Sequence, residues 1–296
     1  MTTTKISVKS VAEIVKAPDR HWVGDGFHVH SMFSYDDPSD LLSPFLLLDY
    51  IAAEEFKPSQ SEPRGVGEHP HRGFETVTIL HQGEVEHRDS AGHQGRIGPG
   101  DVQWMTAASG IVHEEKHSLA FTRKGGTLEG AQLWVNLPAK HKMSAPKYQD
   151  LTKERIPVAQ MPAGAGTVRV IAGSYDGKQG PAFTFTPIQL WDVALKGGKA
   201  VDFKLGDGHT AALLLFNGEI QINAQKKLRR SELALLSREG ETITVAAEKD
   251  STVLLMSGEP IPEPVVGYGP FVMNTHAEIG QAIQDYQSGR MGTLES

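Results

Sequence analysis

A repeated order of short β-type segments is the feature that most constrains how this chain folds. Residues 217–222 (NGEIQI) echo residues 82–86 (QGEVE), and residues 232–236 (ELALL) fall where residues 101–105 (DVQWM) stand in the first half. Such self-similarity indicates an internal duplication of one structural unit. Repeated short strands joined by turns are typical of β-barrels. The sequence therefore predicts two β-barrels in tandem.

Short apolar or alternating runs bounded by turn residues dominate both halves. The chain has 31 glycines and 17 prolines among its 296 residues, and helical periodicity is scarce. Residues 43–51 read as a strand buried on both faces, while residues 74–80 and 130–137 are further strands rich in apolar or β-branched side chains. This pattern favours an antiparallel all-β architecture.

One segment near the end of the chain has helical periodicity. Residues 277–287 (AEIGQAIQDYQ) place apolar side chains at i, i+3, i+4 and i+7, namely Ile279, Ala282, Ile283 and Tyr286. Thr275 precedes this segment and Glu278 follows it by three positions, as in a capping box. We therefore expect a short amphipathic C-terminal helix.

Composition excludes several classes of protein and of metal site. The net charge is -7 and the pI is about 6.0, which argues against a nucleic-acid partner. The basic run at residues 226–230 has no interleaved aromatic residue and is interpreted as a solvated hairpin end. No cysteine is present, so any metal is held by nitrogen and oxygen ligands. No signal peptide or membrane span is recognisable, which predicts a cytoplasmic protein that does not contact membranes.

Two pairs of metal-binding side chains are spaced for a shared site. His69 and His71 lie two positions apart in GEHPHRGFE, and His113 and Glu115 lie two positions apart in GIVHEE. Residues i and i+2 of a strand point to the same face. Neighbouring strands would thus bring three imidazoles and one carboxylate around one point. This ligand set suits Fe, Mn, Ni, Cu or Zn and leaves coordination positions open for chemistry.

The motifs in this order resemble those of the cupin superfamily, and nearly the whole chain resembles the pirin family of bicupins. The resemblance rests on HPHRGFETVTIL, GEVEHRDSAG, GPGDVQWMTAASGIVHEE, QLWVNLP and EPVVGYGPFVMNTHAEIGQAIQDYQSGRMG. It implies two tandem cupin barrels (double-stranded β-helix, or jelly-roll, barrels) with a short C-terminal helix. It also implies one divalent metal, iron(II) first, with Mn, Ni, Cu, Co and Zn left open.

Two glutamates compete for the place of the fourth ligand. His113 and Glu115 share a strand face, and the resemblance to pirins assigns the ligand role to Glu115. Glu75 shares the phase of His69 and His71 only if their strand runs unbroken, and the glycine at position 73 makes a bend plausible. Glu115 is favoured and Glu75 stays open.

The domain prediction places the metal in the first barrel only. We expect an N-terminal metal-binding barrel at residues 1–138, a linker at 139–163, and a metal-free C-terminal barrel with its helix at 164–296. At the positions that correspond to the ligands, the second half has Lys204, Gly206 and Ile243, and the lone His209 has no partner in the sequence pattern.

For function, the resemblance implies a quercetin 2,3-dioxygenase type of activity, with a small aromatic, flavonol-like substrate and dioxygen. In that reading the metal acidifies a bound hydroxyl and Glu115 accepts its proton. The alternative is a non-enzymatic regulator that binds a protein partner according to the oxidation state of the metal. A third possibility is a metal-binding protein with no efficient substrate. The remaining histidines, His87 among them, are interpreted as structural or surface residues.

Overall fold

The structure is a computed structural model that describes residues 7–37 and 41–294. Its strands are β1 (Val11–Lys16), β2 (His21–Val23), β3 (Phe27–Phe33), β4 (Phe45–Phe56), β5 (Gly65–His71), β6 (Phe74–Gln82), β7 (Val85–Asp89), β8 (Gln94–Ile97), β9 (Val102–Thr106), β10 (Ile111–His117), β11 (Gly126–Asn136), β12 (Lys147–Leu151), β13 (Val158–Gln160), β14 (Gly166–Ala172), β15 (Ser174–Tyr175), β16 (Lys178–Gln179), β17 (Ile188–Leu195), β18 (Lys199–Lys204), β19 (Thr210–Ile222), β20 (Lys226–Arg229), β21 (Glu232–Leu236), β22 (Thr242–Gly258), β23 (Val266–Tyr268) and β24 (Phe271–Met273). The helices are α1 (Leu119–Lys124) and α2 (His276–Gln287), with 3-10 turns at Ala139–His141 and Pro162–Gly164. This content confirms the predicted all-β class and the C-terminal helix.

The described residues divide into two compact units, each drawn from separate parts of the sequence. The histidine unit comprises residues 18–37, 45–153 and 261–294. The second unit comprises residues 7–17, 41–44 and 154–260.

Besides the two-stranded sheet of β23 and β24, the histidine unit contains two larger antiparallel sheets. One has the strand order β5-β10-β7-β8 and the other has the order β12-β9-β6-β11-β4-β3-β2. Because side chains alternate between the faces of a strand, each sheet presents one face to the interior. Apolar side chains from both sheets form a core there, among them Phe27, Ile51, Leu80, Ile97 and Leu128. The functional side chains described below project into the same interior.

The C-terminal segment completes the histidine unit. Helix α2 and strand β24 pack with Val112 of β10 in a cluster that includes Phe271, Ile279 and Ala282. The helix begins as predicted, because the Thr275 hydroxyl accepts a hydrogen bond from the Glu278 backbone nitrogen at 3.2 Å. Burial of the apolar helix face therefore holds this segment against the sheet that carries His113.

The second unit contains one nine-stranded antiparallel sheet. Its interior is filled by apolar side chains, including Trp191, Phe203, Leu213 and Leu255. Ile243, which stands at the sequence position corresponding to His113, belongs to this core. The absence of a metal from this barrel stays a prediction.

The boundaries of these units differ from the predicted ranges of 1–138, 139–163 and 164–296. Strand β1 pairs with β21, so the beginning of the chain lies in the second unit. Strand β12 pairs with β9, so residues 139–153 of the expected linker are part of the histidine unit. Non-local strand pairing and the packing of α2 cause these differences. No helix among the described residues is long and apolar enough to cross a membrane.

Candidate metal centre

Three histidines meet where β5 and β10 lie side by side. His69 and His113 are direct cross-strand partners, and His71 follows His69 on the same face of β5. The ring centroids are 4.3 Å apart for His69 and His113 and 4.8 Å apart for each of the other two pairs. Their ligand atoms lie within 4.8 Å of one another, so one ion can be reached by all three.

The protonation of these histidines suits metal binding. Burial, followed by the repulsion of neighbouring histidines, holds the pKa of both His71 and His113 well below the ordinary value. The neutral imidazole that results is the form that binds a metal. At His69, Nδ1 lies 2.7 Å from the Gly67 carbonyl oxygen, which can only accept, so Nδ1 carries the proton and Nε2 keeps its lone pair.

Two buried nitrogen atoms of the cluster have no hydrogen-bond partner among the described residues. They are Nδ1 of His71 and Nε2 of His113. A buried polar atom without a partner is unfavourable by about 1–3 kcal/mol. A metal ion bound by the three imidazoles would satisfy such atoms, so the donor set fits the divalent transition metal that the sequence predicts.

Glu115 is held by a row of three polar side chains on the opposite sheet. Thr78 of β6 pairs with Gln103 of β9 on one side and with Gln132 of β11 on the other. Thr78 Oγ1 and Gln103 Nε2 donate to Glu115 Oε1 at 3.2 and 2.9 Å, and Gln132 Nε2 donates to Glu115 Oε2 at 2.9 Å. These bonds fix the carboxylate inside the barrel.

The predicted four-residue ligand set appears as two groups that share His113. His69, His71 and His113 form one group, and Glu115 forms a second group with His113 and His87. Coordination by Glu115 in the first group therefore stays a prediction. A bulge separates the two, because β5 has one residue more than β10 between the pairs His69–His113 and Val66–Glu115.

Glu75 lies apart from both groups. Gly73, at a φ of 92°, separates β5 from β6, as the sequence analysis allowed. Along the regular ladder of β6, Glu75 faces away from Thr78 and accepts a hydrogen bond from Thr106 Oγ1 at 2.6 Å. Burial raises the pKa of Glu75 to about 7.

The turn after His71 is fixed by two buried basic side chains. Arg72 forms an ion pair with Asp285 of α2 at 2.8 Å and donates from Nε to the Ser109 carbonyl oxygen at 2.7 Å. Lys142 Nζ donates to the Gly73 carbonyl oxygen at 2.7 Å and to the Val272 carbonyl oxygen at 2.9 Å. The C-terminal segment thereby positions the strand that carries His69 and His71.

Two buried polar residues on β7, His87 and Asp89, were not predicted from the sequence to lie beside the centre. His87 Nδ1 lies 3.3 Å from His113 Nδ1, and His87 Nε2 lies 3.1 Å from Asp89 Oδ2. The alternation of VEHRD was the available signal, since it places Val85, His87 and Asp89 on the buried face. The register between β7 and β10, which places this face beside His113, could not be read from the sequence.

A cavity of about 140 Å³ opens directly beside the histidines. Its apolar wall consists of Val23, Phe27, Val29, Ile51, Val66 and Trp134, and its polar wall consists of Asp49, His69, His71, Thr78, Glu115 and Gln132. Asp49 is 9% exposed and accepts a hydrogen bond from Ser31 Oγ at 2.5 Å. Burial raises the pKa of Asp49 above its ordinary value. The cavity thus combines apolar surface with two carboxyl groups.

Family models match both halves of the chain. A model described as Pirin matches residues 26–135, and one described as Pirin C-terminal cupin domain matches residues 190–292. The first covers the strands that carry all the side chains of the candidate centre. The second extends from the second unit into helix α2.

Relatives and solved structures match nearly end to end. A Pseudomonas aeruginosa protein named "Putative quercetin 2,3-dioxygenase" is 53% identical over 283 residues, which are 96% of this chain and 98% of that protein. Human Pirin is 40% identical over 258 residues, which are 85% of this chain and 83% of that protein. The crystal structure of a quercetin 2,3-dioxygenase from Acinetobacter baumannii has a TM-score of 0.94 and 46% identity, covering 98% of this chain and 100% of that one.

Proposed function

This chain belongs to the pirin family of tandem cupin proteins, as its motifs predicted, and on that premise we propose that it is a metal-dependent dioxygenase that cleaves flavonols such as quercetin. The observation that carries the proposal is the cavity, which places an apolar wall, the imidazoles of His69 and His71 and two carboxyl groups around one small space. The names of the P. aeruginosa relative and the A. baumannii structure supply the substrate class.

His69, His71 and His113 would hold the metal, with Glu115 as the fourth ligand that the sequence predicts. Iron(II) is our first expectation, and Mn, Ni, Cu, Co and Zn suit the same donors. When bound, the metal would acidify a coordinated hydroxyl group and bring the activated substrate next to dioxygen. In flavonol cleavage, one dioxygen molecule is consumed, the central ring opens and carbon monoxide leaves.

The size of the cavity limits how a flavonol binds. Pockets for drug-sized ligands measure roughly 300–1,000 Å³, whereas this one measures about 140 Å³. An apolar cavity of about 150 Å³ holds benzene. We therefore expect one hydroxylated ring to enter, against Trp134 and the aliphatic side chains, while the rest of the substrate lies at the mouth.

The carboxyl groups of the cavity would handle protons and hydroxyl groups. Glu115, restrained by Thr78, Gln103 and Gln132, is our general base for the substrate hydroxyl. Asp49 would hydrogen-bond a second hydroxyl group of the bound ring. Burial raises the pKa of Asp49 above its ordinary value, which favours its protonated, donating form more than in an exposed aspartate.

The test is oxygen uptake with quercetin after loading with Fe, Mn, Ni, Cu or Co in separate samples. We expect bleaching of quercetin, one dioxygen consumed per flavonol, and loss of turnover in the E115Q variant. The exposed Glu86 of β7 supplies the control variant E86Q, which should retain full activity. Failure of every metal-loaded sample, alongside a known quercetinase that bleaches in parallel, would reject the proposal.

The second candidate function is a regulator whose protein partner senses the metal. The small cavity favours it, because a whole flavonol does not fit inside. A pull-down with the ferrous and the ferric protein tests this candidate. Regulation predicts a partner that binds one oxidation state at least about tenfold more tightly, a coupling of about 1.4 kcal/mol.

A further inference from the structure

Two buried residues of β7, His87 and Asp89, form a line of polar contacts that begins at the proposed metal ligand His113 of β10. His87 Nδ1 lies 3.3 Å from His113 Nδ1, and His87 Nε2 lies 3.1 Å from Asp89 Oδ2. His87 is 3% exposed and Asp89 is 5% exposed. The ladder between β7 and β10 pairs Asp89 with His113 and His87 with Glu115, so this contact follows from the strand register.

The hydrogen-bond chemistry of this chain fixes which nitrogen of His113 carries the proton. The carboxylate of Asp89 only accepts, so Nε2 of His87 carries a proton. Nδ1 of His87 also faces the amide nitrogen of Gln103, which only donates, at 3.5 Å, so Nδ1 is an acceptor. The proton of His113 therefore lies on Nδ1, which faces His87, and the lone pair lies on Nε2. His113 Nε2 is also the buried atom that has no partner among the described residues.

Asp89 and His87 are themselves held in place. Asp89 Oδ1 accepts from the backbone nitrogens of Ala91 and His93 at 2.9 and 3.0 Å. Burial alone would raise the pKa of Asp89, but the hydrogen bonds from His87 and His93 outweigh burial and lower it, so Asp89 is ionised. The ring of Tyr148 stacks on His87 with centroids 4.9 Å apart. These contacts hold Asp89 and His87 without any contribution from a metal.

We propose that Asp89 and His87 are positioning residues that set the tautomer and orientation of His113 for the metal. A carboxylate that acts through a neighbouring imidazole makes the metal-binding nitrogen more basic and restrains the ring. The proposal rests on metal binding by His113 and does not require oxygenase activity. Loss of such support lowers metal affinity by roughly 10- to 100-fold.

The decisive variant is D89N, because its amide oxygen can still accept from the backbone of the turn. The amide nitrogen of the new asparagine would donate to His87 Nε2, so the proton of His87 would move to Nδ1. That proton would then face the Nδ1 proton of His113, and the hydrogen bond between the two rings would be lost. Metal-free protein is titrated with Co(II) in competition with a chelator, and the visible absorption of bound Co(II) is recorded. We expect D89N to bind Co(II) roughly 10- to 100-fold more weakly, with a changed spectrum.

The matched control is E86Q, which removes a carboxylate from the exposed face of the same strand. It should match the wild type in affinity and spectrum. A second pair of variants, at His87, tests the proposal even if D89N folds poorly. His87→Gln keeps an acceptor for His113 and a donor for Asp89, whereas His87→Leu keeps neither, so the Gln variant should bind at least about tenfold more tightly.

Two outcomes would overturn the proposal. One is D89N, with the thermal unfolding of the wild type, binding Co(II) with unchanged affinity and spectrum. The other is a loss of one Co(II) per chain in His87→Leu while D89N behaves as the wild type, since His87 would then be a ligand of its own site with His113 and Glu115. The Co(II) titration contains no substrate, so its outcome does not depend on whether the protein has the proposed dioxygenase activity.

Discussion

Thr78 and Gln103 are direct cross-strand neighbours, and both donate a hydrogen bond to the same oxygen atom of Glu115. The amide of Gln103 is oriented by Tyr148, whose hydroxyl donates to Gln103 Oε1 at 3.1 Å. Burial raises the pKa of Tyr148, which keeps this hydroxyl protonated. The opposite sheet therefore provides hydrogen-bond donors that suit a carboxylate at position 115.

Replacing Glu115 with Gln should remove turnover and leave metal in the protein. The variant loses the proposed base, which is worth at least about 100-fold in rate, while three imidazoles remain to bind. The NH₂ group of the new glutamine must also face one of the donors that hold Glu115, so the free energy of unfolding should fall by about 1–3 kcal/mol. Oxygen uptake, metal content and thermal unfolding measure these effects. Unchanged turnover would move the base to Asp49, the other carboxyl group of the cavity.

Replacing His113 with Ala should abolish stabilisation by metal. A ligand at 100 times its dissociation constant raises the free energy of unfolding by about 2.7 kcal/mol. We expect this rise for the wild type and for the control His276→Ala, whose histidine lies exposed at the start of α2. Thermal unfolding with and without Co(II) is the measurement. A normal rise in the His113 variant would place the metal elsewhere.

Glu75→Gln should stabilise the metal-free protein at high pH. The folded-state pKa of Glu75 is raised from 4.5 to about 7, so its favourable contribution is present below pH 4.5 and is lost as the pH rises to about 7. The glutamine of the variant is neutral at every pH. The difference in free energy of unfolding between the variant and the wild type should therefore grow in favour of the variant across this window, to at most about 3 kcal/mol. Urea unfolding at several pH values tests this. An advantage that shrinks with rising pH would contradict the assignment, and turnover should be unchanged.

Asp49→Asn should impair substrate binding more than metal binding. Asp49 lines the cavity, whereas Asp150 lies exposed, so Asp150→Asn is the matched control. Loss of a hydrogen bond between a carboxylate and a hydroxyl group lowers affinity by about tenfold or more. We expect KM to rise by this factor for hydroxylated flavonols, with metal content unchanged. Equal KM values for the wild type and Asp49→Asn would exclude contact with the substrate.

Local spacing predicted the parts of the centre that depend on strand alternation. His69 with His71 and His113 with Glu115 share faces because the period of a strand is two. Residues 277–287 predicted α2 for a similar reason, since its cap and apolar face are local features. The bend at Gly73 was also readable from the sequence, and it removes Glu75 from the histidine face.

Features that depend on register could not be read from one sequence. Asp49 stands in the apolar run of residues 43–51, and only its pairing with Gln132 shows that it faces the cavity. His87 reaches His113 because of the ladder between β7 and β10. The place of β1 in the second unit could not be read for the same reason, since β1 pairs with a strand more than 200 positions later. Such pairings are set by non-local packing, which local patterns do not encode.

The histidine unit is assembled from three separate parts of the sequence, and this affects when the metal can bind during synthesis. Arg72 and Lys142 find Asp285 and the Val272 carbonyl oxygen in a segment that is synthesised after all the proposed metal ligands. Until that segment arrives, Arg72 and Lys142 lack these partners, and the apolar face of β10 is uncovered. A nascent chain that already contains every proposed metal ligand should therefore be unable to hold the ion firmly, and loading becomes a late step that follows translation of α2.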